Sequence, residues 1–269
     1  MNIALILSYD GTAYHGWQIQ KNGVSIQQTL TEAVNRLLNC QTYVSGVGRT
    51  DAGVHARRYV ANFKADCTIP PDRLPLALNA QLPDDIAVSA AVPVPEAFDA
   101  RFDCTKKEYA YYVYPSRMPD PFLAGRAYRF HYPLDLEKMQ AGAQRFVGRQ
   151  DFAAVRSMGT PVKSTVRTIF HCEVEACPAP AFTAQRDPTR EPLIRIRVCG
   201  DGFLYNMVRA IAGTLLYDST GKMTPDEVTA ALRAGERADT GPTLPAHGLY
   251  MNRLWYEHTP ELAAYRLDA

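Results

Sequence analysis

A chain of 269 residues, 46% hydrophobic and 21% charged, has the composition of an ordinary globular protein and can bury about three quarters of its unfolded surface without covalent staples. Its formal net charge of +1 is not the strongly basic balance common among proteins that neutralise many phosphates. No apolar run approaches the ~18 residues of a membrane span. Six cysteines (Cys40, Cys67, Cys104, Cys172, Cys177 and Cys199) form no CxxC pair and have no histidine at ligand spacing, which argues against zinc. Dispersed thiols and a start without a basic leader point to a reduced, cytoplasmic protein.

In chain order, residues 3–9 read as a buried strand ended by Asp10-Gly11. Ser25 and Gln28 form a capping-box pattern, after which Leu30, Ala33, Val34, Leu37 and Leu38 recur at helical spacing. Residues 44–47 are a short strand leading into a glycine-punctuated loop, and Tyr59, Ala61 and Phe63 alternate with polar neighbours as a strand does. A short helix follows Pro70-Pro71, and 86–92 is a further strand. The order strand, helix, strand, strand, helix, strand resembles a ferredoxin-like half.

Beyond it, 109–114 is a tyrosine-rich strand and 136–147 a helix with Asp135 as cap and Gly148 past its end. Residues 166–174 and 193–198 are strands, 207–216 is helical, Thr224-Pro225 with Glu227 starts another helix, and 249–256 is a final strand. The stretch 178–192, rich in proline and alanine, reads as an elaborated hairpin connection. The expectation is an α+β protein of two ferredoxin-like or RRM-like halves with mainly antiparallel sheets: an N-terminal domain over 1–103 and a C-terminal domain over 104–269.

Three stretches carry chemistry. GVGRTDAGVHA (46–56) is not a dinucleotide loop, because Asp51 stands where a GxGxxG pattern needs glycine and no helix follows. It leaves a carboxylate on a Gly-rich turn with Arg49 two residues before it, on the same face of an extended chain, where a guanidinium favours the charged form of the acid. Asp-Ala-Gly is also a common surface turn, so by itself this segment leaves structure and catalysis both open. YDGTAYHGWQIQ (9–20) lacks the first aspartate of the aspartyl-phosphate phosphatases, having Ser8 there, and offers Trp17 and Tyr14 for stacking or packing. CTKKEYAYYVY (104–114) sets Lys106 and Lys107 beside four tyrosines, a composition that nucleic-acid binders and aromatic sheet cores share. Basic residues also gather at Arg57 and Arg58 and at Arg186, Arg190, Arg195 and Arg197. A binding module needs the cations and rings but no Arg-x-Asp turn. An aspartate-based hydrolase needs a second acid or base, for which His55 is the close candidate.

Together with DARF (99–102), GFLYNMVRAIAG and GPTLPAHGLY, these stretches resemble the tRNA pseudouridine synthase A family in order and spacing from residue 3 to about 257. Ala56, where some members have glycine, and the long 178–192 loop are the departures. The resemblance implies Asp51 as the catalytic carboxylate, with Arg49 pairing with it and helping to displace the target nucleotide. It implies Tyr109 lying against the uracil as proton acceptor at C5, Leu249 lining the pocket and Arg209 near it. Arg57, Arg58, Lys106, Lys107 and Trp17 are the further substrate-binding candidates. It also implies tRNA as partner, uridines 38, 39 and 40 of the anticodon arm as targets, and a homodimer whose active cleft lies between the two domains of a chain. No metal, nucleotide or other cofactor and no membrane are implied. Rejoining uracil to ribose through C5 is redox-neutral, and extruding a base from a stem asks for a cation and a stacking ring.

Overall fold

The computed structural model describes every residue except 158, 160, 161, 179, 181–191 and 269. In chain order its elements are β1 (Asn2–Tyr9), α1 (Ile26–Leu38), β2 (Ser45–Gly46), β3 (His55–Lys64), α2 (Leu74–Asn79), β4 (Ile86–Val94), β5 (Lys106–Pro115), β6 (Tyr128–Phe130), α3 (Leu136–Ala143), β7 (Gly148–Asp151), β8 (Val166–Cys177), β9 (Leu193–Gly200), α4 (Met207–Ser219), α5 (Pro225–Ala234) and β10 (Leu249–Trp255). They divide between two compact units, Met1–Lys107 with Tyr250–Ala269, and Glu108–Leu249.

In the first unit the strands run β4-β1-β3-β10, with β2 also on β3. β1 is buried along nearly its whole length because it is flanked on both sides, Ile3 facing Phe63 of β3 and Pro93 of β4, both antiparallel. That explains why it reads as a continuous apolar run, without the alternation of a half-exposed strand. Ser25 caps α1 by accepting from the Gln28 N–H at 3.2 Å, and Asn39 ends it in the left-handed conformation. The Gln28 side chain turns to Glu32 instead of back to the cap, so only one half of the expected capping box forms. Ile26, Leu30, Ala33 and Val34 bury one face of the helix.

In the second unit the strands run β5-β9-β8-β7, with β6 parallel on β5. The expected helix over 136–147 stops at Ala143, and a 3₁₀ turn over Gln144–Phe146 then buries Phe146. Asp135 caps α3, and Thr224 with Glu227 forms a reciprocal capping box on α5, satisfying backbone N–H groups that the first helical turn leaves without partners. The short strands β6 and β7 fall outside the sequence reading; three or four residues are too few for a period-2 pattern to register.

The architecture is therefore mixed α+β with mostly antiparallel strand pairs, as composition and periodicity predict. The division expected at 103/104 does not coincide with the compact units, because residues from Tyr250 onward join the first one. β10 pairs in parallel with β3 (Tyr250 with His55, Met251 with Ala56), and the Tyr256 hydroxyl donates to the Ala100 carbonyl at 2.6 Å. A pairing between the two ends of a chain leaves no local signature. The connection read over 178–192 lies largely outside the described residues. Among the described residues, no helix is long and apolar enough to cross a membrane.

Candidate active site

The Gly-rich turn begins where β2 leaves β3 (Ser45 opposite Asn62, Gly46 opposite Ala61) and ends where the chain enters β3 at His55. It is strapped down along its length. The Val47 N–H donates to Val60 O at 2.9 Å, the Trp17 N–H to Thr50 O at 3.1 Å, the Gly53 N–H to Tyr14 O at 3.2 Å and the Val54 N–H to Asp51 O at 3.1 Å. The Thr50 side chain points inward, its hydroxyl 2.8 Å from that of Tyr9. Burial pushes the Tyr9 phenol well above its ordinary range, so it stays a neutral hydrogen-bonding partner. Each such bond is worth about 1 kcal/mol net; several in series fix the turn to the N-terminal segment.

Two glycines of YDGTAYHGW make this approach possible. A Cβ on Gly16, which has φ +81°, would stand 2.3 Å from the Thr50 carbonyl oxygen, and one on Gly11 would stand 2.0 Å from that of Val54. The 9–20 stretch is thus the bed of the turn. Trp17, expected as a platform for a nucleotide, is the clearest correction: it is 3% exposed and stacks on Tyr59 with ring centroids 4.2 Å apart. Its sequence neighbourhood of amides and tyrosine does not distinguish a ring facing solvent from one facing the turn.

Along the turn Arg49 is exposed, Thr50 buried and Asp51 half-buried, the alternation of extended backbone. Arg57 reaches Asn252 at 3.4 Å, and partial burial, with Arg57 and Arg253 adding to it and Asp268 opposing, holds the Arg58 guanidinium below its ordinary value. Lys106 pairs with Glu257 at 2.9 Å at the surface. Lys107 turns inward and donates to the Val47 carbonyl at 2.6 Å. His55, the alternative acid or base, is buried; its Nδ1 lies 3.1 Å from both the Gly11 N–H and Asp10 Oδ1.

In the second unit Tyr109 is buried on β5 and meets the Phe203 ring edge-on at 5.1 Å. Phe203 was missed in the sequence; its signal is an aromatic residue directly after the Gly202 that follows a strand. Tyr111 is fully buried, donates to the Pro245 carbonyl at 2.7 Å and packs where a Cβ on Gly248 would be 2.7 Å from its ring. Leu249 is buried at the start of β10. Arg209, on α4, binds the Leu244 carbonyl through Nε at 2.6 Å and Asn206 Oδ1 through Nη1 at 2.5 Å, which ties 206–209 to the GPTLPAHGLY stretch.

The basic strip at 186–197 also resolves differently. Arg186 and Arg190 lie outside the described residues, while Arg195 and Arg197 face acids across β8 and β9: Glu175 opposite Arg195 and Glu173 opposite Arg197. Arg197 Nε lies 2.8 Å from Glu175 and its Nη1 3.5 Å from Glu108, a fully buried acid that also sits 2.8 Å from His171 Nε2. The strand register neutralises the cations that the linear sequence lines up.

Comparison with known proteins places this turn in context. A family model described as tRNA pseudouridine synthase matches residues 5–103 and 143–257. Proteins named tRNA pseudouridine synthase A are similar across the chain: that of Bacillus subtilis is 40% identical over 260 residues, covering 96% of this chain and 100% of the relative. Those of Acetivibrio thermocellus and Thermoanaerobacter pseudethanolicus are 40% and 38% identical over 255 residues, covering 95% of this chain and 99% of each relative. With the Asp51 turn inside the family match and relatives of 38–40% identity covering nearly the whole chain, the chain belongs to the tRNA pseudouridine synthase A family, enzymes that isomerise uridine to pseudouridine in tRNA.

Proposed function

We propose that the protein converts the uridines at positions 38, 39 and 40 of the tRNA anticodon arm to pseudouridine, with Asp51 as the catalytic carboxylate. The observation that carries this reading is the strapping of the 46–54 turn, which holds a half-buried carboxylate on a backbone fixed at Val47, Thr50, Gly53 and Val54. Catalysis that depends on placement needs a group held in this way.

The reaction breaks the bond between ribose C1′ and uracil N1 and forms one from C1′ to C5. The C5 proton leaves and N1 takes up a proton, so nothing is oxidised or reduced. Asp51 acts on the sugar or the ring during bond breaking, and the freed base rotates to present C5. Tyr109 is the acceptor of the C5 proton, its ring held edge-on by Phe203. Arg49, exposed and two residues before Asp51, is the cation that helps displace the target nucleotide. Leu249 supplies apolar lining and Arg209 a fixed guanidinium. Arg57 and Arg58, crowded with Arg253, and Lys106 contact phosphates.

The finer fold assignment belongs with this reading. The order β1, α1, β2, β3, α2, β4 supports ferredoxin-like halves, and the family's homodimeric assembly and cytoplasmic setting are carried over with its function. The test is Asp51→Asn, assayed by chromatographic detection of pseudouridine in tRNA under single-turnover conditions. Folding and tRNA affinity are expected to survive while product formation is abolished; substantial single-turnover product from the asparagine variant would overturn the assignment.

A further inference from the structure

We infer that Lys107 is a positioning residue for the reacting turn, pinning the Val47 carbonyl while Tyr59 pins that of Gly48, so that Arg49 and Asp51 emerge from a fixed backbone direction. The inference rests on the Asp51 reading above and extends it to residues that touch no substrate.

The geometry is specific. The Lys107 ammonium donates to Val47 O at 2.6 Å, and the Tyr59 hydroxyl donates to the next carbonyl, Gly48 O, at 2.5 Å. One donor comes from the start of β5 and the other from β3, so two consecutive peptide planes are oriented by different elements. The residue between them is a glycine, the one residue type whose backbone has no side chain to restrict it. Beside Gly48, the nearest atom to the place of a Cβ is the Lys107 Nζ, at 3.6 Å. The two hydrogen bonds therefore impose on Gly48 the restraint that its missing side chain cannot, immediately before Arg49. Tyr59 is itself immobilised, fully buried and stacked on Trp17.

Phosphate binding, the role the sequence suggests for the Lys106-Lys107 pair, needs an ammonium turned to solvent. Lys106 fits it, pairing with Glu257 at the surface. Lys107 does not: burial lowers its pKa, Arg101 adds to the lowering, and Cys104 and Asp99 offset part of it. A charge-assisted bond to a carbonyl in such a place is stronger than a neutral one and releases few counterions from RNA.

The experiment uses the full chain and an intact tRNA, with Lys107→Met as the main variant, since the thioether keeps the apolar stem and removes the donor. The single-turnover rate at saturating tRNA should fall roughly 10- to 100-fold, as expected for misplacement of a reacting group by about 1 Å. The tRNA Kd and the slope of log Kd against log salt should stay at the parent values. Tyr59→Phe should lower the same rate, and the double variant should fall less than the product of the two losses, because both bonds hold one backbone segment. A parent-like rate, or weaker binding with a slope shallower by about 0.7–0.9, overturns the inference. Should the methionine variant fail to fold, Lys107→Arg is read instead. It keeps the charge for a phosphate but not the single compact donor, so a lowered rate with retained affinity supports positioning and a parent-like rate refutes it. An active Asp51→Asn enzyme would overturn the Asp51 assignment, whereas a parent-like Lys107→Met beside an inactive Asp51→Asn overturns the role of Lys107 alone.

Discussion

Replacing Gly16 by alanine is the sharpest probe of how the turn is held, because the substitution adds one methyl group and leaves every reacting side chain in the sequence. Gly16 has φ +81°, and its new Cβ would stand 2.3 Å from the Thr50 carbonyl oxygen and 2.9 Å from the Asp51 carbonyl carbon. Contact between such atoms is comfortable near ~3.5 Å, so the turn must retreat by roughly 1 Å. A left-handed backbone costs an L-residue about 1–2 kcal/mol, and forced overpacking adds about 1–3 kcal/mol. At roughly 2–4 °C per kcal/mol for a chain of this size, the melting temperature should drop by about 4–20 °C. The larger effect is kinetic, since displacement of a reacting group by about 1 Å is worth on the order of 100-fold in rate. Gly221→Ala is the control: it shares the positive φ (+71°) but its Cβ meets nothing within 4 Å. That variant should lose a few degrees of melting temperature and keep the parent rate. Pseudouridine formation under single turnover, with thermal melts in parallel, separates the two contributions. If Gly16→Ala turns over tRNA like the parent, the close packing of residue 16 on the turn does not position Asp51.

Tyr109→Phe keeps the ring and its edge-on contact with Phe203, so tRNA affinity should persist while product release falls to near zero in the chromatographic assay. Tyr111→Phe removes the donor to the Pro245 carbonyl and should cost about 1 kcal/mol of stability in denaturant titration with little change in rate; parent-like turnover in both variants would remove Tyr109 from the chemistry. Affinity for tRNA should fall steeply with salt despite the net charge of +1, with a log–log slope of about −0.7 to −0.9 per phosphate contact. Filter binding between low and physiological ionic strength checks it, and a flat response contradicts the phosphate roles of Arg57, Arg58 and Lys106.

Much of this protein was legible in its sequence wherever one short stretch carried the whole signal. The continuous apolar run of β1, the helical spacing of α1 and the Thr224-Pro225 start of α5 each depend on residues within a few positions, and periodicity reads such patterns directly. The carboxylate on its Gly-rich turn was visible for the same reason, as was the tyrosine-rich strand over 109–114. Tertiary structure alone decided which way side chains face and what neutralises them. Trp17 reads equally well as a platform or as packing until Tyr59 is stacked on it. Arg195 and Arg197 form a basic strip until β8 brings Glu175 and Glu173 into register opposite them. Lys107 looks like its neighbour Lys106 until the turn folds back and offers it the Val47 carbonyl. β10 joins the first unit through pairing with β3, a contact between residues remote in the chain. Burial, charge pairing and strand register are properties of groups brought together across long loops, and their partners stand too far away in the sequence for any local pattern to announce them.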